Sequence, residues 1–245
     1  MSEPVYAIGD VHGQLSELDR VLALIEKDGG AASKVVFLGD YVDRGPDSAG
    51  VLDRIISGQQ SGRNWVTLMG NHDRMFRLFL QSPPQADPHL MIQHTWLHPR
   101  LGGDSTLASY GLSVEPTTRL KDLHAAALLN VPKLHMDFLN GLDLTHLHGD
   151  LLFVHAGIRP GVPLSNQSEE DLIWIRDEFH SFSEPHPYLV VHGHTPEKRV
   201  THYGNRVNLD TGAGYGNPLS VAVFEGKDTW CLTKNGRVPL KPTTR

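Results

Sequence analysis

The chain has 245 residues, with 22 Lys and Arg against 28 Asp and Glu, for a formal net charge of −6. Its apolar share of 39% is enough to bury a core, which excludes a mainly disordered chain. The acidic balance, with no run of Lys and Arg, excludes nucleic-acid binding driven by bulk charge. One cysteine excludes an internal disulfide framework and a zinc–cysteine cluster, whereas 15 histidines supply the commonest metal-ligating and proton-carrying side chain.

Taken in chain order, strand, loop and helix patterns alternate three times. Val5–Ile8 is a short apolar run ending in Gly9-Asp10. Leu15, Leu18, Val21, Leu22 and Ile25 then recur at helical spacing, and Gly29-Gly30 stops that helix. A second apolar run, 35–38, ends in Gly39-Asp40, and Asp47 or Ser48 can cap a helix carrying Val51, Leu52, Ile55 and Ile56. A third run, 65–69, ends in Gly70-Asn71, with Met75, Phe76, Leu78 and Phe79 predicting a helix after it. Asp10, Asp40 and Asn71 fall about thirty residues apart, the length of a βαβ unit. The central runs are apolar throughout, as strands of a sheet covered on both faces must be.

Residues 82–141 read differently. Pro83-Pro84 and Pro88 mark a loop, while 125–129 and 138–139 read as helical, so the segment is expected to be a helical insertion or cap within one domain spanning 1–245. From 142 onward strands are predicted at 142–147, 151–154, 188–191, 206–209 and 219–224, with turns at His148-Gly149-Asp150 and Glu225-Gly226-Lys227-Asp228. The start, Met1-Ser2-Glu3-Pro4, has neither the basic opening nor the long apolar stretch of a secretory signal. No apolar run nears the roughly 20 residues of a membrane span. A cytoplasmic protein without a membrane partner is expected.

The chemistry collects where strands end, which is where open α/β sheets build their sites. Five segments mix Asp, Asn or His with Gly: Gly9-Asp10-Val11-His12-Gly13, Gly39-Asp40-Tyr41-Val42-Asp43-Arg44-Gly45, Gly70-Asn71-His72-Asp73, Val154-His155-Ala156-Gly157 and His192-Gly193-His194-Thr195. Imidazole and carboxylate together suit divalent Mn, Fe, Zn or Ni. Four His, two or three Asp and an Asn are too many for one tetrahedral ion, and they suit two ions bridged by a carboxylate.

In that order these segments resemble the calcineurin-like metallophosphoesterases. Val42-Asp43-Arg44-Gly45 is similar to the phosphoprotein phosphatase group within them, especially its bacterial and phage members. The resemblance covers about 1–75 and 150–220. It implies a four-layer α/β/β/α sandwich and two divalent metal ions, Mn by default. Asp10, His12 and Asp40 would hold the first ion; Asp40 would bridge to a second completed by Asn71, His155 and His194. Asp43 and His72 would form the proton-donating pair, and Arg44 would grip phosphate, with Arg176 the best candidate for a second phosphate-binding arginine. Asp73 departs from the Glu that members commonly carry after the Asn-His pair. The implied reaction is in-line attack on phosphorus by a metal-bridging hydroxide, with His72 protonating the leaving oxygen.

Each feature also has a plainer reading. Taken singly, Asp10, Asp40 and Asn71 suit turns or helix caps; their company with His12 and His155 favours a site. His192 competes with His194, and the Gly-His-Thr register of the resembling proteins favours His194. Arg176 can instead pair with Glu178. The remaining histidines, His89, His94 and His124 among them, are read as surface or hydrogen-bonded residues. Cys231 and Arg237 have the spacing of a cysteine-dependent phosphatase loop, but Pro239 and Pro242 follow where that loop needs a helix.

The first functional choice is hydrolysis of phosphoserine or phosphothreonine, and by extension phosphotyrosine, on proteins. The second is hydrolysis of diadenosine polyphosphates, for which Trp96, Tyr110 or Trp174 could offer a base-stacking face. The third is a domain that binds phosphorylated partners without turnover.

Overall fold

The computed structural model describes residues 3–90, 95–115 and 117–243; His94 lies outside them. The elements run β1 (Val5–Ile8), α1 (Leu15–Gly29), β2 (Lys34–Phe37), α2 (Ser48–Gln60), β3 (Trp65–Thr67) and α3 (Asn71–Phe79). Next come α4 (Gly103–Ser109), α5 (Leu120–Asn130), α6 (Lys133–Asn140), β4 (Thr145–His148), β5 (Leu151–Val154), α7 (Glu169–Trp174) and α8 (Asp177–His180). The chain then gives β6 (Leu189–His192), β7 (Thr201–His202), β8 (Arg206–Asn208), β9 (Val221–Glu225), β10 (Asp228–Thr233) and β11 (Gly236–Pro239).

Two mixed sheets result. One has the order β11-β10-β9-β1-β2-β3, with β1, β2 and β3 parallel and β9 antiparallel to β1. The other has the order β4-β5-β6-β8-β7, with β5, β6 and β8 parallel. The alternation of a strand's side chains sets the layers. Val5 and Ala7 of β1 point to an apolar layer shared with Phe153, Val191 and Val207 of the second sheet. Tyr6 and Ile8 point the other way, to a layer with Leu18 and Val21 of α1 and Leu52 and Ile55 of α2. Leu152 and Val190 cover the second sheet's outer face with Leu172, Ile173 and Phe179. The stacking is therefore helix, sheet, sheet, helix, the expected sandwich, and each fully buried side chain of this size stabilises it by about 1.5–3 kcal/mol.

Local signals act as the residues dictate. Leu18, Val21, Leu22 and Ile25 are the buried stripe of α1, which Gly30 closes with φ 85°. The Asp47 carboxylate caps α2 by accepting the Gly50 N–H at 2.8 Å. Strand limits differ from the sequence expectation by one to three residues at most. The largest shift is at 142–147, where β4 starts only at Thr145 because Asp143 is bridged to Leu68 instead. Segment 82–141 carries α4, α5 and α6, whose Leu107, Leu123 and Leu139 join the outer core beside α2 and α3. No described helix is long and apolar enough to cross a membrane.

Candidate active site

Five elements deliver the site from their ends. Asp10 and His12 follow β1, Asp40 follows β2, Asn71 and His72 open α3, His155 follows β5, and His194 follows β6. The backbone is bent to bring them together. Among the described residues, the non-glycine positions with positive φ are His12 (46°), Asp40 (53°), Asp43 (73°), Arg44 (68°) and His194 (67°). L-residues avoid that region, and strain of this kind persists where a site over-determines it. Glycine is required beside two carboxylates: a Cβ on Gly70 would strike Asp40 Oδ1, and one on Gly193 would strike Asp10 Oδ1.

Asp40 stands between two histidine groups. Its Oδ2 lies 3.4 Å from Nε2 of His12, and its Oδ1 lies 3.5 Å from Nε2 of His155. Nδ1 of His12 donates to the Val42 carbonyl and Nδ1 of His155 to the Leu38 carbonyl, each at 2.8 Å. Both rings therefore present an unprotonated Nε2 to the interior, the tautomer that binds a cation. Nε2 of His155 is 3.1 Å from Oδ1 of Asn71, and Nδ1 of His194 is 2.9 Å from the same oxygen. The lone pair of His155 thus converges with the acceptor oxygens of Asn71 and Asp40. A divalent cation satisfies that set, so the donors fit the expected metal.

Among the described residues, two trios share Asp40, and within each the ligand atoms lie within 4.8 Å of one another: His12, Asp40 and His72, and Asp40, His155 and His194. Asp10 is outside both trios; its carboxylate accepts the His194 backbone N–H at 3.0 Å. A third trio, Asp87, His89 and Glu170, already surrounds a cation, because Arg74 bonds Asp87 at 2.7 Å and Glu170 at 2.7 Å. His192 is buried but turns away from Asn71, donating from Nδ1 to the Gly193 carbonyl at 3.0 Å and packing on Phe179.

The electrostatics follow from burial. Asp10 is raised well above the usual carboxylate range by burial and by the neighbouring Asp210 and Asp40 charges. Burial also opposes ionisation of Asp40, but the surrounding His155, His72 and His12 hold it below that range. The α3 N-terminus adds to this: the His72 backbone N–H donates to Asp40 Oδ1 at 2.9 Å. Burial lowers His72 to about 3 and raises Asp43 to about 7. The two lie 2.6 Å apart, close enough for one hydrogen bond between His72 Nδ1 and Asp43 Oδ2.

Arg44 reaches Nε2 of His72 at 2.9 Å and also Nε2 of His12, and its guanidinium lies 4.9 Å over the Tyr215 ring. Arg176 donates to Thr195 Oγ1 at 2.9 Å rather than pairing with Glu178. Both arginines line a small pocket of about 40 Å³ with Asp40, Asn71, His72 and His194. A larger cleft of about 370 Å³ opens at the other end of β5 and β6 and touches none of these residues.

Sequence reasoning did not foresee what four residues contribute here. Asp73 accepts the backbone N–H groups of Asp40 (2.7 Å), Gly70 (2.9 Å) and Tyr41 (2.9 Å), and so fixes the Asp40 loop. Trp96 and Thr106 bond Asp43. Tyr215, 63% exposed, forms the pocket rim. None of the aromatic faces nominated for base stacking lines the pocket, although Trp96 bonds Asp43 and the Trp174 ring meets His194 edge-on at 5.9 Å. Trp96 is buried, Tyr110 is bonded to His135, and Trp174 stacks on His89 at 5.1 Å.

Sandwich, strand-end ligands and paired arginines define a metal-centred phosphoester hydrolase. Residues 3–224 match the calcineurin-like phosphoesterase family, and the chain belongs to it. It is 30% identical, over 91% of each chain, to a bis(5'-nucleosyl)-tetraphosphatase [asymmetrical] of Anoxybacillus flavithermus. It is 27% identical to the serine/threonine-protein phosphatase 1 of Salmonella typhimurium, over 89% of this chain and 90% of that one. The fold matches the crystal structure of a putative diadenosine tetraphosphatase with TM-score 0.64 at 21% identity, covering 98% of this chain and 95% of that one.

Proposed function

We propose that this chain is a dinuclear metal-dependent hydrolase of dinucleoside polyphosphates. The observation that carries the substrate class is the end-to-end likeness to bis(5'-nucleosyl)-tetraphosphatases, which moves the second sequence reading ahead of the first. Asp10, His12 and Asp40 would hold one ion, and Asp40, Asn71, His155 and His194 would hold the other, with Mn preferred among Mn, Fe, Zn and Ni. When bound, such ions supply Lewis acidity at phosphoryl oxygens and activated water at neutral pH.

The chain's own residues do the rest. Arg44 and Arg176 face the pocket that Asp40 and His72 line, and their planar forks suit two phosphoryl oxygens. With one phosphoryl group between the two arginines, the remaining polyphosphate and nucleosides extend past the Tyr215 rim. His72 turns Nε2 toward that pocket and delivers a proton to the leaving oxygen, while Asp43 fixes its Nδ1.

The likeness to the Salmonella protein phosphatase supports a second reading, hydrolysis of phosphoserine, phosphothreonine or phosphotyrosine on proteins. Metal-loaded protein assayed side by side on diadenosine tetraphosphate and a phosphothreonine peptide separates them. The expected kcat/KM is at least about tenfold higher for the dinucleotide. Equal or faster turnover of the peptide transfers the reading to protein phosphatase. Two bound ions with no turnover of either substrate, or of a simple aryl phosphate, support the non-catalytic binding domain.

A further inference from the structure

Asp43 is fully buried, and its carboxylate has three side-chain partners. Oδ2 lies 2.6 Å from His72 Nδ1 and accepts the Trp96 indole N–H at 2.9 Å; Oδ1 accepts the Thr106 hydroxyl at 2.7 Å. The Thr106 oxygen in turn accepts the Asp43 backbone N–H at 2.8 Å, and that N–H also reaches Ser48 Oγ at 3.1 Å. Both donors to the carboxylate come from segment 82–141, which carries none of the ligand-bearing motifs. Thr106 is fully buried and Trp96 nearly so. The indole is stacked on Phe76 at 5.1 Å and lies 4.8 Å from Phe79. Those phenylalanines belong to α3, the helix that opens with Asn71 and His72. The indole thus touches the helix that carries His72 and bonds the carboxylate that orients it.

A buried carboxylate with one partner can rotate or lose its charge. One whose two oxygens accept from two fixed donors can do neither cheaply. From this geometry we infer that Trp96 and Thr106 are positioning residues for proton delivery, holding Asp43 so that Oδ2 stays on His72 Nδ1. The helical segment is then part of the catalytic apparatus as well as a cover. The inference rests on the reading of His72 and Asp43 as the proton-donating pair. Burial pushes Asp43 toward its neutral form, and the Thr106 and Trp96 hydrogen bonds oppose that shift.

The test compares 4-nitrophenyl phosphate, whose leaving oxygen needs little protonation, with phenyl phosphate, whose leaving oxygen needs more. Trp96→Phe keeps the ring stack and loses the N–H; Thr106→Val keeps the shape and loses the hydroxyl; Thr106→Ser restores it. In metal-loaded protein, kcat on phenyl phosphate should fall about tenfold or more in the first two variants, with less than about a threefold change on 4-nitrophenyl phosphate. KM and bound metal should stay constant, and Thr106→Ser should behave as wild type. An equal fall on both substrates marks a purely structural role and overturns the inference, as does no fall on either. Should Thr106→Val not fold, Trp96→Phe and Thr106→Ser carry the comparison. His72→Asn separates the layers. If it loses phenyl phosphate selectively while Trp96→Phe does not, the inference fails and the proton pair stands; if it shows no selectivity, the proton pair itself fails.

Discussion

Nδ1 of His72 lies 2.6 Å from Oδ2 of Asp43, and Nε2 of the same ring faces the arginine-lined pocket. One nitrogen is committed to the carboxylate and the other meets the Arg44 guanidinium in the pocket, so a leaving oxygen on a phosphate gripped by Arg44 comes to that nitrogen. His72→Asn should therefore keep metal and KM while lowering kcat about 10²–10⁴-fold, the range for losing a general acid. Steady-state kinetics with elemental analysis of the same sample check this. Wild-type kcat in the variant would show that another group supplies the proton.

Arg44 and Arg176 differ in support. Arg44 is half-buried against His12, His72 and the Tyr215 ring, whereas Arg176 is exposed and tied to Thr195. Arg44→Lys and Arg176→Lys both keep the charge but lose the planar fork. The expected loss in kcat/KM is about 10–100-fold for Arg44→Lys and smaller for Arg176→Lys, with bound metal unchanged. Full activity in Arg176→Lys would remove that residue from phosphate binding.

The sequence exposes the candidate ligand set because most of its members follow a short apolar run and sit beside glycine, a local pattern. Asp10, Asp40 and Asn71 are legible for that reason. Asp210 follows Arg206-Val207-Asn208-Leu209, which is only half apolar, and has no adjacent glycine, so the pattern does not mark it; its carboxyl accepts the Gly212 N–H and is raised to about 6, first by burial. Thr106 is different. It lies 63 residues from Asp43 in the chain, in a helix of ordinary composition, and only packing on α2 brings it to the carboxylate. Asp73 looks like a first-turn helix acid, and its work on the Asp40 loop depends on a parallel strand pairing that no local pattern encodes. The alternation of strand and helix was legible for the same local reasons, whereas the four-layer stacking came with the family resemblance. The aromatic faces were not legible, because the exposure of Tyr215 and the burial of Trp96 are properties of the assembled layers.

Cys231 sits in the middle of β10, paired with Ala222 on one side and Val238 on the other. Arg237 is on the next strand and is occupied by Asp28 and Glu225, each within 2.8 Å. Burial pushes the Cys231 thiol up, away from a thiolate. Cys231→Ser should leave kcat and KM on every phosphate substrate unchanged. A large loss of kcat with the fold and metal content intact would revive a cysteine nucleophile.

His192 sets an acid limit on the fold. Its ring is buried against Phe179, its Nδ1 donates to the Gly193 carbonyl, and its Nε2 has no hydrogen-bond partner among the described residues. Burial, and then the neighbouring His180, hold it well below the ordinary value of 6.5. Unfolded, the ring takes up a proton near 6.5; folded, it stays neutral to much lower pH. The unfolded chain thus binds more protons in that window, and stability falls as pH drops below 6.5, by about 1.4 kcal/mol per pH unit until the folded value is reached. Above 6.5 the residue contributes no pH dependence. His192→Phe removes the titration while filling similar space, so its loss of stability between pH 7.5 and 5.5 should be smaller than wild type by about 1–2 kcal/mol. Urea unfolding of the metal-free protein at the two pH values measures the difference. An identical acid loss in both proteins would mean that His192 is already protonated in the folded state, against a burial that leaves its Nε2 no counter-charge.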